Sequence, residues 1–379
     1  MRAPVELGGT VRACRPEETL ARVTPLFGRL GITRVADVTG LDTLGVPVAL
    51  CIRPSARNLS VSQGKGLTPE LARASAVMES IELWHAEHLP PPVLVAPFAS
   101  LGNRALDPGA LRPGYCFGRW RPELPTAWAA GRDLVSGADV LVPRAALDLD
   151  TTASGPEAGL LGASSNGLAS GNTRAEATLH ALCELVERDC SARFAPQSSA
   201  DREARRLCLH DLAPSPLRSA LDGLRREVEA EVWDIAGPVG IPAFACTLTE
   251  RGAWRALGCF VGHGCHPRPT VALARAVTEA AQARLTAITG SRDDVFPSFY
   301  RSPDRRRLPP QTPAPGPLPP PAEDPGAAAW SIEGHLEDVV DRLRQGGYRK
   351  VAVVDHTRPD LEVPVVHAIV PGLRFRAVA

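Results

Sequence analysis

Two pairs of glutamates in this chain stand three residues apart, Glu79 with Glu82 and Glu184 with Glu187, and Glu279 is followed at the same distance by Gln282. On a helix, residues i and i+3 project from adjacent points of one face, where two carboxylates repel unless a cation lies near them. Mg2+ takes oxygen ligands and is ordinarily held by a few carboxylates together with substrate phosphates, so acidic helices converging on one cleft describe a metal-nucleotide site. A merely solvated acidic stripe is the plainer reading, but Val77, Met78, Ile81 and Trp84 surround the first pair and Leu182, Cys183, Leu185 and Val186 the second. For phosphate the sequence offers Lys65 between two glycines, Asn172 at the turn entering the second helix, Arg188 directly after Glu187, and Arg284 two residues after Gln282. Helix starts at Thr68 and Thr173 add backbone N–H donors that no earlier turn satisfies. A P-loop is excluded, because Leu59 stands where its first glycine would precede Gly64-Lys65.

The elements that carry these residues repeat. Val46 to Ile52 and Asn58 to Ser62 flank a turn at Arg53-Pro54-Ser55, and Thr68-Pro69-Glu70 then starts a helix with proline in its first turn. The same order of strand, strand and helix is expected from Ile241 to Leu248, Ala256 to Gly262 and about Thr270 to Thr289, and less regularly from Val140-Leu141-Val142 to the helix starting at Thr173. An offset of 105 residues places Gly171, Thr173, Ala177, Ala181, Glu184 and Glu187 on Gly66, Thr68, Ala72, Ala76, Glu79 and Glu82. An offset of 200 places Ala272, Ala276 and Glu279 on Ala72, Ala76 and Glu79. Alanines at i and i+4 make a narrow ridge suited to close packing. The fold expected is therefore mixed α/β, built of repeated strand-hairpin-helix units around a nucleotide cleft.

Composition bounds the rest. The chain has 379 residues, with 42 basic and 42 acidic side chains, so zero net charge supplies no global pull toward nucleic acid or anionic lipid, and neither is expected as a partner. No apolar run approaches the roughly 18 residues of a membrane span, and Met1 to Thr19 lacks a signal-like stretch, which points to the cytoplasm. Nine scattered cysteines without a Cys-x-x-Cys pair are expected as reduced thiols. Cys259, His263, Cys265 and His266 are better read as a strand end and a turn than as a zinc site, and Asp355-His356 as ordinary strand-end chemistry. Pro16 to Leu30 reads as an amphipathic helix, Arg307 to Ala327 as a proline-rich linker, Glu333 to Gln345 as a helix, and Val351 to Val354 and Val363 to Val370 as buried strands.

Taken together, Ser75-Ala-Val-Met-Glu79-Ser-Ile-Glu82, Gly171-Asn-Thr-Arg-Ala-Glu176, Glu184-Leu-Val-Glu187-Arg188-Asp189, Thr278-Glu279-Ala-Ala-Gln282-Ala-Arg284, Ser291-Arg-Asp-Asp294 and Val370-Pro-Gly-Leu373 resemble the YcaO family, over most of the chain from about Thr33 onward. Members of that family use ATP to activate a backbone amide of a ribosomally made peptide. The resemblance implies ATP and Mg2+ as cofactors, with Glu79, Glu82, Glu176, Glu184 and Glu187 on metal, Lys65, Ser75, Glu79, Asn172, Gln282 and Arg284 on nucleotide, and Arg188 and Arg284 offsetting charge in catalysis. It implies an N-terminal extension over 1–32, a YcaO-like core over 33–302, a linker over 303–329, and the rest of the core over 330–379. Ile32 to Leu41, Ser60 to Gly66 and His85-Ala-Glu87 look like the TfuA-associated branch, linked to replacing amide oxygen by sulfur. That implies a ribosomal precursor peptide or protein as substrate, a TfuA-like partner and a homodimer. Leu83 departs from the arginine that often follows the second glutamate, and Phe375 to Ala379 lack the proline-alternating tail common among ring-forming members. An azoline-forming cyclodehydratase, a non-catalytic peptide-binding scaffold and an enzyme acting on a small metabolite stay open as alternatives.

Overall fold

The computed structural model describes residues 4–111, 120–152, 162–209, 212, 215–251, 258–301 and 331–375; the expected proline-rich linker and Cys116 lie outside them. It divides into two compact units, each drawn from separate stretches of chain. Met1–Pro54, Leu59–Ser80 and Arg193–Trp330 make the first; Ser55–Asn58, Ile81–Ala192 and Ser331–Ala379 make the second. No helix among the described residues is long and apolar enough to cross a membrane.

Two three-stranded antiparallel sheets organise the first unit. One consists of Arg34–Asp37, Val48–Ile52 and Val61–Lys65, and the other of Val228–Asp234, Ala243–Glu250 and Cys259–Cys265, each in sequence order. The helix that starts at Pro69 covers the first, and the helix Pro269–Thr289 the second. The hairpin expected around Arg53-Pro54-Ser55 is present, but its second strand sits at Val61–Lys65, not at 58–62. The reason is steric. Any side chain at Gly64 would overlap the backbone of Ala72 and Ala76 in the helix above, so the strand must continue to Gly64 for the two to touch. Gly264 meets the backbone of Ala272 and Ala276 in the same way, which reproduces in space the offset of 200 residues.

The amphipathic segment at the N-terminus is less regular than its spacing suggests. An α-helix over Pro16–Val23 passes through a 3-10 turn, Thr24–Leu26, into a short helix, Phe27–Leu30, because Pro25 has no N–H to continue the ladder. Gly31, at φ +71, then ends it in the left-handed conformation.

One six-stranded antiparallel sheet forms the second unit, in the order Leu94–Pro97, Pro125–Asp133, Ala352–Asp355, Val365–Ile369, Leu168–Ser170, with Asp139–Pro143 also paired to Pro125–Asp133. The two C-terminal strands and the helix Ile332–Gln345 lie where the sequence puts them. The helix Arg174–Phe194 begins after Thr173, whose Oγ1 accepts the Glu176 N–H at 3.1 Å, the cap expected there. A side chain at Gly171 would crowd the Ala177 nitrogen and the Glu176 Cβ, just as one at Gly66 would crowd Ala72 and Leu71 in the first unit. The offset of 105 residues is thus also a repeated contact.

Three buried imidazoles tie this second unit together: His85, His356 and His367. The rings of His356 and His367 meet edge to face with centroids 5.9 Å apart. His85 Nδ1 donates to the Ile81 carbonyl at 2.8 Å and His367 Nε2 to that of Asn166 at 3.2 Å, while His85 Nε2, His356 Nε2 and His367 Nδ1 are buried without a partner. Burial, reinforced at His85 by the Arg358 charge, lowers His85 and His367 to about 4 and takes His356 well down. Because the folded values lie below the ordinary 6.5, the unfolded chain binds more protons between the two, so this contribution to stability is complete above about pH 6.5 and is lost as pH falls toward 4. Urea unfolding followed across that range is expected to show a midpoint that drops steadily on acidification. A midpoint flat between pH 7 and 4.5 would mean that these rings are charged in the folded protein.

Candidate active site

In the second unit the acidic residues are held by the short strand Leu168–Ser170 and its flanks. The Ser170 N–H and hydroxyl both donate to Glu82 Oε1, at 2.8 and 2.7 Å, and the Gly167 N–H donates to Glu184 Oε2 at 3.0 Å. Asn172 Nδ2 lies 3.3 Å from each oxygen of Glu176. Arg188 reaches Glu184 Oε1 and Glu187 Oε1, each at 3.4 Å, so one guanidinium spans both acids of the second pair. Glu176 and Glu187 are almost fully buried, at 5% and 7% exposure. Carboxylates in such a setting must be neutralised by hydrogen bonds, by Arg188, or by a cation. Leu83 is itself buried, which suits the leucine at that position.

In the first unit the expected nucleotide contacts have different surroundings. Lys65 Nζ is paired with Glu279 Oε2 at 2.6 Å, and Glu279 Oε1 accepts the His263 N–H at 3.3 Å. Gln282 Nε2 donates to the Gln63 carbonyl at 2.7 Å, tying the third helix to the strand that carries Lys65. Ser75 and Glu79 lie one turn apart on the first helix, both part-buried, and the Glu79 charge acts on Arg292. Arg284 is 2% exposed: its Nε sits 2.8 Å from Asp42 Oδ2, its Nη2 3.0 Å from Glu250 Oε1, and its guanidinium packs over Phe260. The expectation of Arg284 at a transferring phosphoryl group meets a guanidinium already committed to two carboxylates. That placement argues for a structural ion-pair network instead.

Sequence reasoning missed Ser170, Gly167, Gln63, Asp42 and Glu250. Ser170 directly precedes the Gly171-Asn172 turn and Gln63 lies within the quoted Lys65 segment, so local signals existed for those two. Asp42 and Glu250 are remote in sequence from Arg284 and carry none.

All-carboxylate donors suit a hard cation such as Mg2+. Among the described residues, no three histidine, cysteine or acidic side chains are grouped so as to hold one ion by themselves. Mg2+ does not require such a cage, since it commonly takes one or two carboxylates and completes its shell with phosphate and water. The donor set fits an ion shared with a nucleotide.

Residues 63–374 match the family model described as YcaO cyclodehydratase, ATP- and Mg2+-binding. The chain belongs to the YcaO family. It is 37% identical over 375 residues to an uncharacterized protein in the tfuA 3′ region of Rhizobium leguminosarum bv. trifolii, covering 96% of this chain and 88% of that one. Among solved structures, it is similar to YcaO from Methanopyrus kandleri, bound with AMPPCP and Mg2+, with a TM-score of 0.75, 26% identity, and coverage of 98% and 95% of the two chains. A heterocyclase in complex with substrate and cofactor shares the fold, with a TM-score of 0.75 at 24% identity; 99% of this chain is covered, and it spans 55% of that longer protein. The mixed α/β architecture is thus the YcaO fold, and the family is one of ATP- and Mg2+-binding cyclodehydratases.

Proposed function

We propose that this protein uses ATP to phosphorylate a backbone amide oxygen in a ribosomally made peptide or protein and, with a TfuA-like partner, replaces that oxygen by sulfur. The observation that carries the first part is the carboxylate set of the second unit, with Arg188 across Glu184 and Glu187. The second part is supported by the Rhizobium relative in the tfuA 3′ region. Hydrosulfide adds to the amide carbon, the carbonyl oxygen takes the γ-phosphoryl group as ADP leaves, and phosphate then departs with that oxygen to leave C=S. Atoms and charge balance with HS⁻ and ATP consumed and ADP and hydrogen phosphate released.

Bound Mg2+ would supply charge neutralisation on the phosphates. Within the second unit, Glu82, Glu176, Glu184 and Glu187 are the carboxylates we assign to bound metal, one or two to an ion with phosphate completing the shell; Glu79, in the first unit, is assigned to metal by the family resemblance alone. Arg188, 36% exposed at its side chain, can exchange Glu184, the less buried of these two carboxylates at 25% exposure, for a phosphate oxygen while keeping Glu187, and we assign it to the transferring group. Lys65, Ser75, Asn172 and Gln282 are assigned to the nucleotide, with Lys65 required to leave Glu279 for that purpose. The same reading has the protein act in the cytoplasm as a homodimer.

Reconstitution with a precursor peptide encoded nearby, a TfuA-like protein, ATP and sulfide, followed by mass spectrometry, tests the proposal. The expected product is heavier by the difference between sulfur and oxygen and gains thioamide absorbance. A product lighter by one water would replace thioamidation with azoline formation, the reading that the heterocyclase likeness favours, and leave amide activation standing. An unmodified peptide with no ATP consumed would overturn both.

A further inference from the structure

Among the described residues, Leu168–Ser170 is the last strand of its sheet, paired on one side only, with Val365–Ile369. An edge strand presents N–H groups that need partners. Here the outward Leu168 N–H donates to the Ser165 carbonyl at 2.9 Å, while that of Ser170 is taken by a side-chain carboxylate, Glu82; just before the strand, Glu184 accepts from Gly167. The backbone N–H of Ser170 alone would satisfy this requirement. The hydroxyl does something more, because it brings a second donor, at 2.7 Å, to the oxygen that already accepts the N–H at 2.8 Å. Two donors from different directions on one carboxylate oxygen set the tilt of the carboxylate plane as well as its distance, and both bonds are charge-assisted. Ser170 is 3% exposed, so water does not compete for the hydroxyl.

From this geometry we infer that Ser170 is a positioning residue for Glu82, orienting its carboxylate toward the metal-nucleotide complex; the inference rests on the assignment of Glu82 as a ligand. Outer-sphere partners of metal ligands are commonly worth about 10- to 100-fold in metal affinity. Ser170→Ala keeps the N–H and removes only the hydroxyl, so its effect isolates orientation.

The test uses the full chain with Mn2+ and AMPPCP as probes, reading bound Mn2+ by electron paramagnetic resonance and folding by thermal unfolding. Ser170→Ala is expected to weaken Mn2+ binding about 10-fold or more with a nearly unchanged melting temperature. Ser170→Thr, which keeps the hydroxyl, is expected to bind like the wild type, and Ser170→Ala combined with Glu82→Gln to lose no more than Glu82→Gln alone. Wild-type Mn2+ affinity in Ser170→Ala beside a clear loss in Glu82→Gln would overturn the positioning role and leave Glu82 as a ligand. Wild-type affinity in Glu82→Gln itself would remove the assignment on which the inference stands. An additive loss in the double variant, or a melting temperature that falls in step with affinity, would make Ser170 a packing residue.

Discussion

Arg284→Ala is expected to lose about 3–5 kcal/mol of folding stability, the usual consequence of removing one partner from a buried ion-pair network. Asp42 and Glu250 have side chains only 1% and 12% exposed, and without the guanidinium both are left as uncompensated carboxylates. Lysine is a poor replacement, because a single ammonium cannot reach both acids in the planar fork that arginine presents. Chemical denaturation of wild type, Arg284→Ala and Arg284→Lys would measure the effect. Wild-type stability in the alanine variant, together with lost turnover, would return Arg284 to the phosphate contact expected from sequence. Arg188→Ala is expected to cost less, since its side chain is 36% exposed and both pairs are long, at 3.4 Å, so that solvent screens them more than it screens Arg284, although Glu187 is left 9% exposed.

Glu184→Gln and Glu187→Gln are expected to abolish Mg2+-dependent ATP binding while the fold stays intact. Each variant removes a charged ligand but keeps its shape, and the carbonyl of glutamine at 184 still accepts the Gly167 N–H. Removing the charge also breaks one of the ion pairs that Arg188 makes with Glu184 and Glu187. Titration calorimetry with ATP in the presence and absence of Mg2+ distinguishes the effects: nucleotide binding without metal is expected to survive in part, and the enhancement by metal to vanish. Undiminished enhancement in both variants would end the assignment of the Glu184/Glu187 pair.

Why some of this was legible in the sequence and some was not follows from the range of the interactions. The three acidic helices announce themselves through caps and ridges, as at Thr173, Pro269 and the paired alanines, all signals contained within a few residues. The C-terminal hairpin is legible for the same reason, two valine-rich runs around a turn. The position of the strand Val61–Lys65 is less legible, because the turn residues mark a hairpin but not the contact that Gly64 makes with the helix. Val228–Asp234, not among the expected strands, carries the alternating pattern of a half-buried one. The surroundings of Arg284 are illegible for a deeper reason. Its neighbours on the helix resemble those of a phosphate ligand, whereas its partners come from a loop 242 residues away and from the end of another strand.

The glycine-to-alanine contacts bear on how far the repeat reaches into the chemistry. Gly64 with Ala72 and Ala76, and Gly264 with Ala272 and Ala276, are the same joint made twice, and Gly66 and Gly171 form a second matched pair. The acids at corresponding places on these helices have not stayed alike: Glu184 is met by a backbone N–H and an arginine, whereas Glu279 is matched to a lysine. The repeated helices thus share their steric joints while their acids meet different partners. The likeness lies in the smallest side chains and the difference in the largest, so a match in spacing is a poor guide to which acid does what.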